Sequence, residues 1–249
     1  MILEQVKQIA NTLHLFGVAA SVELRAQEAL AAQMHPAEFM RLILEDELLA
    51  RKDRLGKTLT TRAKFRLQAE LEDWDGSYDR GMSRQNIKEL TQFGFVARQE
   101  NLLMFGKTGE GKTHLAVALG RRLCQEGIPT TFMPVSYLFE EVAAAKVAGK
   151  YLAFVRSLTK AKVLVLDDFG LRGYSHDEAT ILVDILEDRA RRGVVIVTSQ
   201  VDDKGWKKLF EDPVISEAIV DRLIHPSQKI VLKGGSYRER LKLSVGVQK

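Results

Sequence analysis

Residues 106–113 read Gly-Lys-Thr-Gly-Glu-Gly-Lys-Thr and match the phosphate-binding pattern Gly-x-x-x-x-Gly-Lys-Ser/Thr. Glycines let the backbone of such a loop turn tightly and direct its N–H groups towards phosphates. Lys112 adds a point charge for the β- and γ-phosphates, and the Thr113 hydroxyl is a ligand for Mg²⁺. The candidate ATP-binding residues are Gly106, Lys107, Thr108, Gly109, Glu110, Gly111, Lys112, Thr113 and His114.

The segments on either side of this loop have the pattern of a strand and a helix. Residues 101–105 (Asn-Leu-Leu-Met-Phe) form a short apolar run that indicates a buried strand, and residues 113–125 have the apolar spacing of a helix. A glycine-rich turn that matched the pattern by chance would need neither neighbour, so the context favours a nucleoside triphosphate site. No Asn-Lys-x-Asp motif, which reads guanine, occurs in the chain, and we therefore expect ATP.

Other short apolar runs predict the remaining strands of a sheet, at residues 129–135, 163–166, 194–197 and 229–233. Helical patterns separate several of them, over residues 136–160 with an interruption near Gly149 and over residues 177–192. Strands that alternate with helices specify a parallel α/β sheet with its chemistry at the carboxyl ends of the strands. The predicted fold class is therefore α/β, with the parallel sheet of a P-loop nucleoside triphosphatase.

Two carboxylates stand at the end of one of these strands. Asp167 and Asp168 follow the apolar run 163–166, where buried carboxylates are costly unless they are used. A capping or turn-forming pair would explain them in a chain without a phosphate loop. Beside such a loop we expect Asp167 to hold Mg²⁺, directly or through water, and Asp168 to orient or polarise the attacking water.

The N-terminal part of the chain predicts a separate helical domain. Residues 1–66 carry apolar residues at helical spacing, and we expect a small bundle with a break near Gly17. A new helix should begin at Pro36, because proline is favoured in a first helical turn. Residues 67–78 form a connector, and residues 79–249 form the ATPase domain.

A dense positive stretch lies near the end of the helical domain. Seven basic residues and one acid occur between Arg51 and Arg66. The stretch predicts contacts with a nucleic-acid backbone, and a solvated helix face is an equal alternative. The candidate DNA-binding residues are Arg51, Lys52, Arg54 and Lys57, with Lys146, Lys150 and Arg172 as alternatives on the ATPase domain.

Composition limits the partners and the cellular location that we expect for the protein. The net charge of +4 and the isoelectric point near 9.1 permit nucleic-acid binding without requiring it. The sequence contains no run of eighteen uncharged apolar residues and no secretory leader, so we expect a cytoplasmic protein without a membrane partner. The single cysteine, Cys124, excludes a disulfide within the chain.

Five motifs in a fixed order give the chain a wider resemblance. They are Gly-Lys-Thr-Gly-Glu-Gly-Lys-Thr-His-Leu at 106–115, Leu-Val-Leu-Asp-Asp-Phe-Gly at 164–170, Thr-Ser-Gln at 198–200, Asp-Pro-Val to Asp-Arg-Leu across 212–223, and Gly-Ser-Tyr-Arg at 235–238. In these motifs the chain resembles the IstB-like helper ATPases of insertion sequences, which are related to the DnaC-type helicase loaders of the AAA+ superfamily. The resemblance implies an AAA+ fold and an ATPase that binds duplex DNA, self-assembles, and recruits and stimulates the transposase of its element.

The resemblance also implies roles for particular residues. Ser199 and Gln200 occupy the sensor 1 position, where a polar side chain at a strand end contacts the γ-phosphate. Arg222 resembles the arginine finger that one subunit presents to the ATP of its neighbour, which implies a homo-oligomer with ATP sites at subunit interfaces. The alternatives for Arg222 are a local pair with Asp221 and a charge at a helix end.

Two departures from the AAA+ pattern qualify these expectations. Asp168 stands where general AAA+ enzymes have glutamate, and the shorter side chain predicts slow hydrolysis, which we expect DNA to stimulate. Sixteen residues follow Lys233, too few for the usual C-terminal helical lid, so we expect none. Two other functions stay open, namely a helicase loader with the same ATPase domain and a nucleotide-gated scaffold with little ATP turnover.

Overall fold

The computed structural model describes residues 2–74, 81–190, 192–225 and 227–235. The chain divides into two compact units, which we call the helical unit (Met1–Thr58 with Gln125–Gly127) and the nucleotide unit (Leu59–Cys124 with Ile128–Lys249). The domain limits expected at residues 66 and 78 stay predictions, and residues 75–78 of the predicted connector lie outside the described residues.

Three helices precede the nucleotide-binding part of the chain: α1 (Ile2–Thr12), α2 (Phe16–Ala31) and α3 (Pro36–Ala63). Helix α3 begins at the predicted proline and continues through most of the basic stretch. The buried centre of the helical unit is small and apolar, consisting of Ala10, Val18, Val22 and Ile43. Across the described ranges, no helix combines the length and the apolar character that crossing a bilayer requires.

The break expected near Gly17 is wrong by a few residues, because residues 13–15 separate α1 from α2 and Gly17 lies inside α2. The lack of a side chain at Gly17 allows α2 to pack closely against α3. A Cβ atom at this position would lie 2.6 Å from the Cα atom of Glu47, so only glycine lets α2 and α3 approach so closely.

Glu47 of α3 closes the beginning of α2. The residue is 4% exposed, and its carboxylate accepts hydrogen bonds from the backbone N–H groups of Gly17 (2.6 Å) and Val18 (3.3 Å). The residue before α2, Leu15, has no side chain that could cap these donors. The Arg51 guanidinium lies 2.7 Å from the same carboxylate and, as the largest cause, lowers the pKa of Glu47.

The nucleotide unit alternates strands and helices. Its strands are β1 (Asn101–Phe105), β2 (Thr130–Pro134), β3 (Val163–Phe169), β4 (Val194–Ser199) and β5 (Ser227–Val231). Its further helices are α4 (Arg84–Leu90), α5 (Gly94–Ala97), α6 (Lys112–Gln125), α7 (Val135–Val147), α8 (Tyr151–Lys160), α9 (His176–Arg189), α10 (Asp203–Trp206) and α11 (Pro213–Ile224). The strands form a parallel sheet in the order β2-β3-β4-β1-β5, which confirms the predicted α/β fold class.

The sheet is covered on both faces, as its continuous apolar runs require. Alternate residues of each strand point to opposite faces. Leu103, Leu164 and Val195 pack into the cluster that includes α7, α8, α9 and α11. Leu102 and Val163 pack into the second cluster, with α6. In the enclosed strands β1, β3 and β4, polar side chains therefore lie only at or near the strand ends, whereas the edge strand β5 carries the exposed Lys229 in its middle.

We predict that Glu47→Ala destabilises the helical unit by about 2 kcal/mol, because two helix N–H groups lose their buried partner. Amide hydrogen exchange of α2 and α3 measures the effect, and Glu45→Ala, which removes an exposed acid from the same helix, is the matched control. The lowered pKa means that Glu47 contributes stability above the ordinary glutamate pKa and loses it as the pH falls. The difference between wild type and variant should therefore shrink as the pH falls below the ordinary pKa of glutamate. Equal exchange rates in the two variants at pH 7 would contradict the prediction.

Candidate nucleotide site

The phosphate loop connects the end of β1 to the start of α6. Gly106, Gly109 and Gly111 have φ angles of 152°, 86° and 95°, a region in which residues with a side chain are strained. Helix α6 begins at Lys112, so the free N–H groups of its first turn face the loop. The segment thus has the backbone and the helix end that bind phosphate groups.

Two charged side chains of the loop are buried and hold its shape. The ammonium group of Lys112 is 2.8 Å from the carbonyl oxygens of both Gly106 and Lys107. The carboxylate of Glu110 accepts a hydrogen bond from the Lys107 N–H at 2.5 Å. Burial lowers the pKa of Lys112, and the carboxylates of Glu110, Asp168 and Asp167 act in the opposite direction. Glu110 therefore shapes the loop from within, whereas Lys112 can exchange carbonyl oxygens for phosphate oxygens.

Asp167 lies beside the phosphate loop and is buried, with 2% of the residue exposed. One oxygen, Oδ1, accepts hydrogen bonds from the Thr113 hydroxyl at 2.9 Å and from the Thr198 hydroxyl at 2.6 Å. Burial raises the pKa of Asp167, and the Thr198 and Thr113 hydroxyls oppose that shift. A hydroxyl and a carboxylate at this distance are the hard oxygen donors that Mg²⁺ prefers, so Thr113 and Asp167 fit the ion.

Asp168 has an unusual backbone conformation. Its φ angle is 59°, in the left-handed region, and the β3–β4 register shifts between Leu166 and Phe169. Its N–H donates to the Thr198 hydroxyl at 3.0 Å. Aspartate tolerates this conformation better than most residues. The irregularity turns the side chain of Asp168 out of the strand pattern and leaves it partly exposed next to Asp167.

Ser199 and Gln200, the two residues predicted at the sensor 1 position, make different contacts. Gln200 reaches the phosphate loop, where its Oε1 atom accepts a hydrogen bond from the Thr108 hydroxyl at 2.8 Å. The Ser199 hydroxyl lies away from the loop, donates to the Val201 carbonyl at 2.8 Å and accepts from the Trp206 indole at 3.2 Å. The geometry therefore offers Gln200 as a sensor side chain and gives Ser199 a structural contact.

Thr198 is the residue that sequence reasoning missed. Its hydroxyl is fully buried and joins Asp167 to the backbone of Asp168. The available signal was the alternation of side chains along a strand, which puts residues 198 and 200 on one side and 199 on the other. Of the other predicted ATP-binding residues, His114 lies in the first turn of α6 with its ring 6.5 Å from the buried Trp74 ring.

Arg222 lies at the opposite end of the sheet. Its guanidinium contacts the Glu187 carboxylate through both Nε, at 2.7 Å, and Nη2, so the partner is Glu187 and not Asp221. Its backbone carbonyl contacts Asn101, the first residue of β1, whereas the phosphate loop follows the last. Five residues of strand span about 15 Å. Arg222 therefore cannot reach the phosphate loop of its own chain without rearrangement of the sheet.

Most candidate DNA-binding side chains are engaged with acids or rings. In the helical unit, Arg51 and Arg54 contact Glu47, Lys52 contacts Glu126, and Lys57 contacts Asp53. In the nucleotide unit, Arg172 contacts Glu178 and the Lys146 ammonium lies 5.4 Å from the Tyr151 ring. Lys150 immediately precedes α8 and is exposed. The structure does not gather the seven residues into one patch within either unit, and DNA binding through them stays a prediction.

Comparison with known proteins identifies one family. The model of the family described as IstB-like ATP binding protein matches residues 8–245. An ATP-binding protein named for insertion sequence IS21, from Pseudomonas aeruginosa, is 30% identical over 98% of this chain and 92% of its own length. An insertion-sequence ATP-binding protein of Sinorhizobium fredii is 34% identical over 92% of this chain and 93% of its own.

Solved structures share the fold. The crystal structure of DnaI has a TM-score of 0.58 and 22% identity, covering 71% of this chain and 94% of its own. The DnaC helicase loader has a TM-score of 0.51 and 25% identity, covering 63% and 94%. DnaA from Aquifex aeolicus, bound to AMPPCP, has a TM-score of 0.57 and 19% identity, covering 74% and 56%. The fold of the nucleotide unit is thus that of AAA+ proteins.

We predict that Thr198→Val raises the Mg²⁺ concentration needed for half-maximal nucleotide binding by about tenfold. Groups that orient a metal ligand typically contribute this much to metal affinity. Titration of Mg²⁺ against the binding of a fluorescent ATP analogue measures it. Thr198→Ser keeps the hydroxyl and is the matched control. Affinity for the nucleotide without Mg²⁺ should change little, and an unchanged Mg²⁺ midpoint would contradict the role given to Thr198.

Proposed function

Because this chain belongs to the family of IstB-like ATP binding proteins, we propose that it is an ATP-dependent helper of DNA transposition. In this proposal it assembles on target duplex DNA in the ATP-bound state, recruits the transposase of the same element and stimulates it. It hydrolyses ATP slowly, and duplex DNA accelerates the hydrolysis. The premise is an ATP-binding AAA+ protein associated with insertion sequences, and each later step rests on the observations that follow.

The Thr113–Asp167 hydrogen bond, 2.9 Å long, is the observation that carries the enzymatic part of the proposal. It brings the loop hydroxyl and the strand-end carboxylate together, which supports their proposed role as ligands of one Mg²⁺ beside Lys112. When bound, that ion neutralises charge on the β- and γ-phosphate oxygens. Lys112 holds the same phosphates by its ammonium group, and Thr198 fixes the orientation of the Asp167 carboxylate.

Asp168 is the proposed group that orients the attacking water and accepts its proton on a carboxylate oxygen. Its partly exposed position next to Asp167 supports this assignment. Gln200, hydrogen-bonded to Thr108, is proposed to detect the γ-phosphate because replacement of the Thr108 contact by phosphate would change its position. The short reach of an aspartate supports slow turnover.

The position of Arg222 supports the proposed self-assembly. An arginine that cannot reach the nucleotide of its own chain can stabilise the transition state of a neighbour, a contribution of about 10³–10⁵ in other nucleotide hydrolases. The proposed oligomer therefore has ATP sites at subunit interfaces, with the phosphate loop from one subunit and Arg222 from the next.

The DNA and transposase steps rest on the family and on charge. The relatives are named as insertion-sequence proteins, and the basic residues of α3 are candidates for phosphate contacts. A helicase loader remains the second candidate, supported by the likeness of the nucleotide unit to the DnaC helicase loader. A scaffold with little turnover is the third, supported by Asp168 in place of glutamate.

We predict that Lys112→Ala abolishes ATP binding, whereas Arg222→Ala binds ATP and loses at least about 10³-fold in turnover. Steady-state hydrolysis with and without duplex DNA, together with a nucleotide-binding assay, separates the two defects. Arg41→Ala, which removes an exposed arginine paired with Glu45, is the control. Turnover that DNA does not affect would favour the helicase-loader or scaffold function.

We predict that replacing Lys52 and Lys57 by glutamine lowers the slope of log affinity for duplex DNA against log salt by about 2, because each phosphate contact contributes about 0.9. DNA binding at several salt concentrations, measured by fluorescence anisotropy, provides the slope. Lys7→Gln, which removes a lysine paired with Glu23 in the same unit, is the control. If the slope stays at the wild-type value, the stretch is a solvated helix face.

A further inference from the structure

We propose that Asn101 is a positioning residue for Arg222, which it fixes by the backbone at the amino end of the sheet. The inference rests on the proposed function, since it takes Arg222 as the arginine finger of a neighbouring ATP site. It adds a residue that lies about 15 Å from the phosphate loop along β1 and contacts no part of that loop.

Asn101 is 7% exposed and uses its whole amide group. Its Nδ2 atom donates to the carbonyl oxygens of Arg222 at 2.9 Å and Leu223 at 3.0 Å. Its Oδ1 atom accepts from the N–H of Val195 at 2.9 Å. One side chain thus joins the start of β1, the start of β4 and the last turn of α11.

The last turn of α11 needs such a partner. The final four carbonyl groups of a helix have no partner within the helix. The His225 N–H satisfies the carbonyl of Asp221 at 2.9 Å, and Asn101 satisfies the next two. Arg222 is one of the residues whose carbonyl depends on Asn101, so loss of the amide would loosen the turn that carries the finger.

The side-chain contact of Arg222 is of a different kind. The side chains of Glu187 and Arg222 are 60% and 30% exposed. Exposed ion pairs contribute little to stability, so the guanidinium can leave Glu187 for a phosphate at little cost. The buried Asn101 contacts do not have to break when it does. The direction of the finger is therefore set by Asn101, and Glu187 holds the guanidinium until it is used.

Two strands connect the Asn101 hydrogen bonds to the nucleotide site. The strand that starts at Asn101 leads into the phosphate loop, and the strand that contains Val195 leads to Gln200. Both strands are buried and paired with each other. Each subunit therefore presents its own phosphate loop and its finger at a fixed separation, which a ring or filament of identical subunits requires at every interface.

A purely structural role for Asn101 is the alternative, and mixing subunits distinguishes the two. Asn101→Ala should lower turnover on the order of 10–100-fold, as small misplacements of catalytic groups do, and leave ATP affinity within about twofold. An Asp168→Asn subunit keeps the groups proposed to bind ATP, lacks the carboxylate proposed to activate water, and still carries an intact finger. Mixed with Asn101→Ala subunits, it should restore their turnover to the level reached in a parallel mixture of Asp168→Asn with Arg222→Ala.

The controls keep fold and mechanism apart. Gln228→Ala removes an amide at the amino end of the neighbouring strand, where it contacts Glu100 and not α11, and should hydrolyse ATP like wild type. If Asn101→Ala does not fold, Asn101→Ser replaces it, since serine keeps a hydroxyl near Val195 but is too short to reach α11.

Each outcome decides one point. Restoration of both mixtures supports the proposal. The proposal is overturned if turnover recovers in the Arg222→Ala mixture and not in the Asn101→Ala mixture. The damage caused by Asn101→Ala would then lie in the subunit's own ATP site or in its fold. Wild-type turnover by Asn101→Ala alone also overturns it. If neither mixture recovers, the finger is not supplied by a neighbour, and the proposed interface and this inference fall together.

Discussion

Burial of the sheet on both faces is the constraint on which the rest of the structure depends. Strands β1, β3 and β4 are almost wholly enclosed. Because burying a polar group without a partner costs free energy, their polar side chains lie at the strand ends. At the carboxyl end, Asp167, Thr198 and Gln200 meet the phosphate loop. At the amino end, Asn101 fixes the last turn of α11, the helix that carries Arg222. The fold thereby separates the phosphate loop from Arg222, the proposed arginine finger.

Hydroxyl groups make the buried carboxylate at the carboxyl end possible. Asp167 is removed from water, and two threonine hydroxyls on neighbouring elements supply its hydrogen bonds. One of these, Thr198, also accepts the N–H of Asp168 and so supports its left-handed backbone. Strain of this kind persists where the surroundings over-determine it, and it concentrates at functional sites. The same small network therefore orients the proposed metal ligand and the proposed catalytic carboxylate.

The amino end of the sheet is held by side chains that satisfy backbone carbonyls. Arg189 is 2% exposed and donates to the carbonyl oxygens of Leu158 at 2.7 Å and Val194 at 2.8 Å. Burial lowers the pKa of Arg189 to about 10, which still leaves it charged near neutral pH. The helical unit uses the same device in reverse, since the buried carboxylate of Glu47 satisfies the N–H groups of Gly17 and Val18. In both units a buried charge organises backbone ends.

Sequence alone determined the features that depend on local pattern. The phosphate loop, the first strand with its limits of 101 and 105, the helix start at Pro36 and the parallel α/β class follow from spacing and residue type. Tertiary structure decided what depends on neighbours distant in the chain. Thr198 meets Asp167 because β4 lies next to β3, Gly17 is required by the approach of Glu47, and Arg222 meets Glu187 from another helix. Periodicity states which face a residue occupies, whereas a partner thirty or more residues away is chosen by the packing of whole elements.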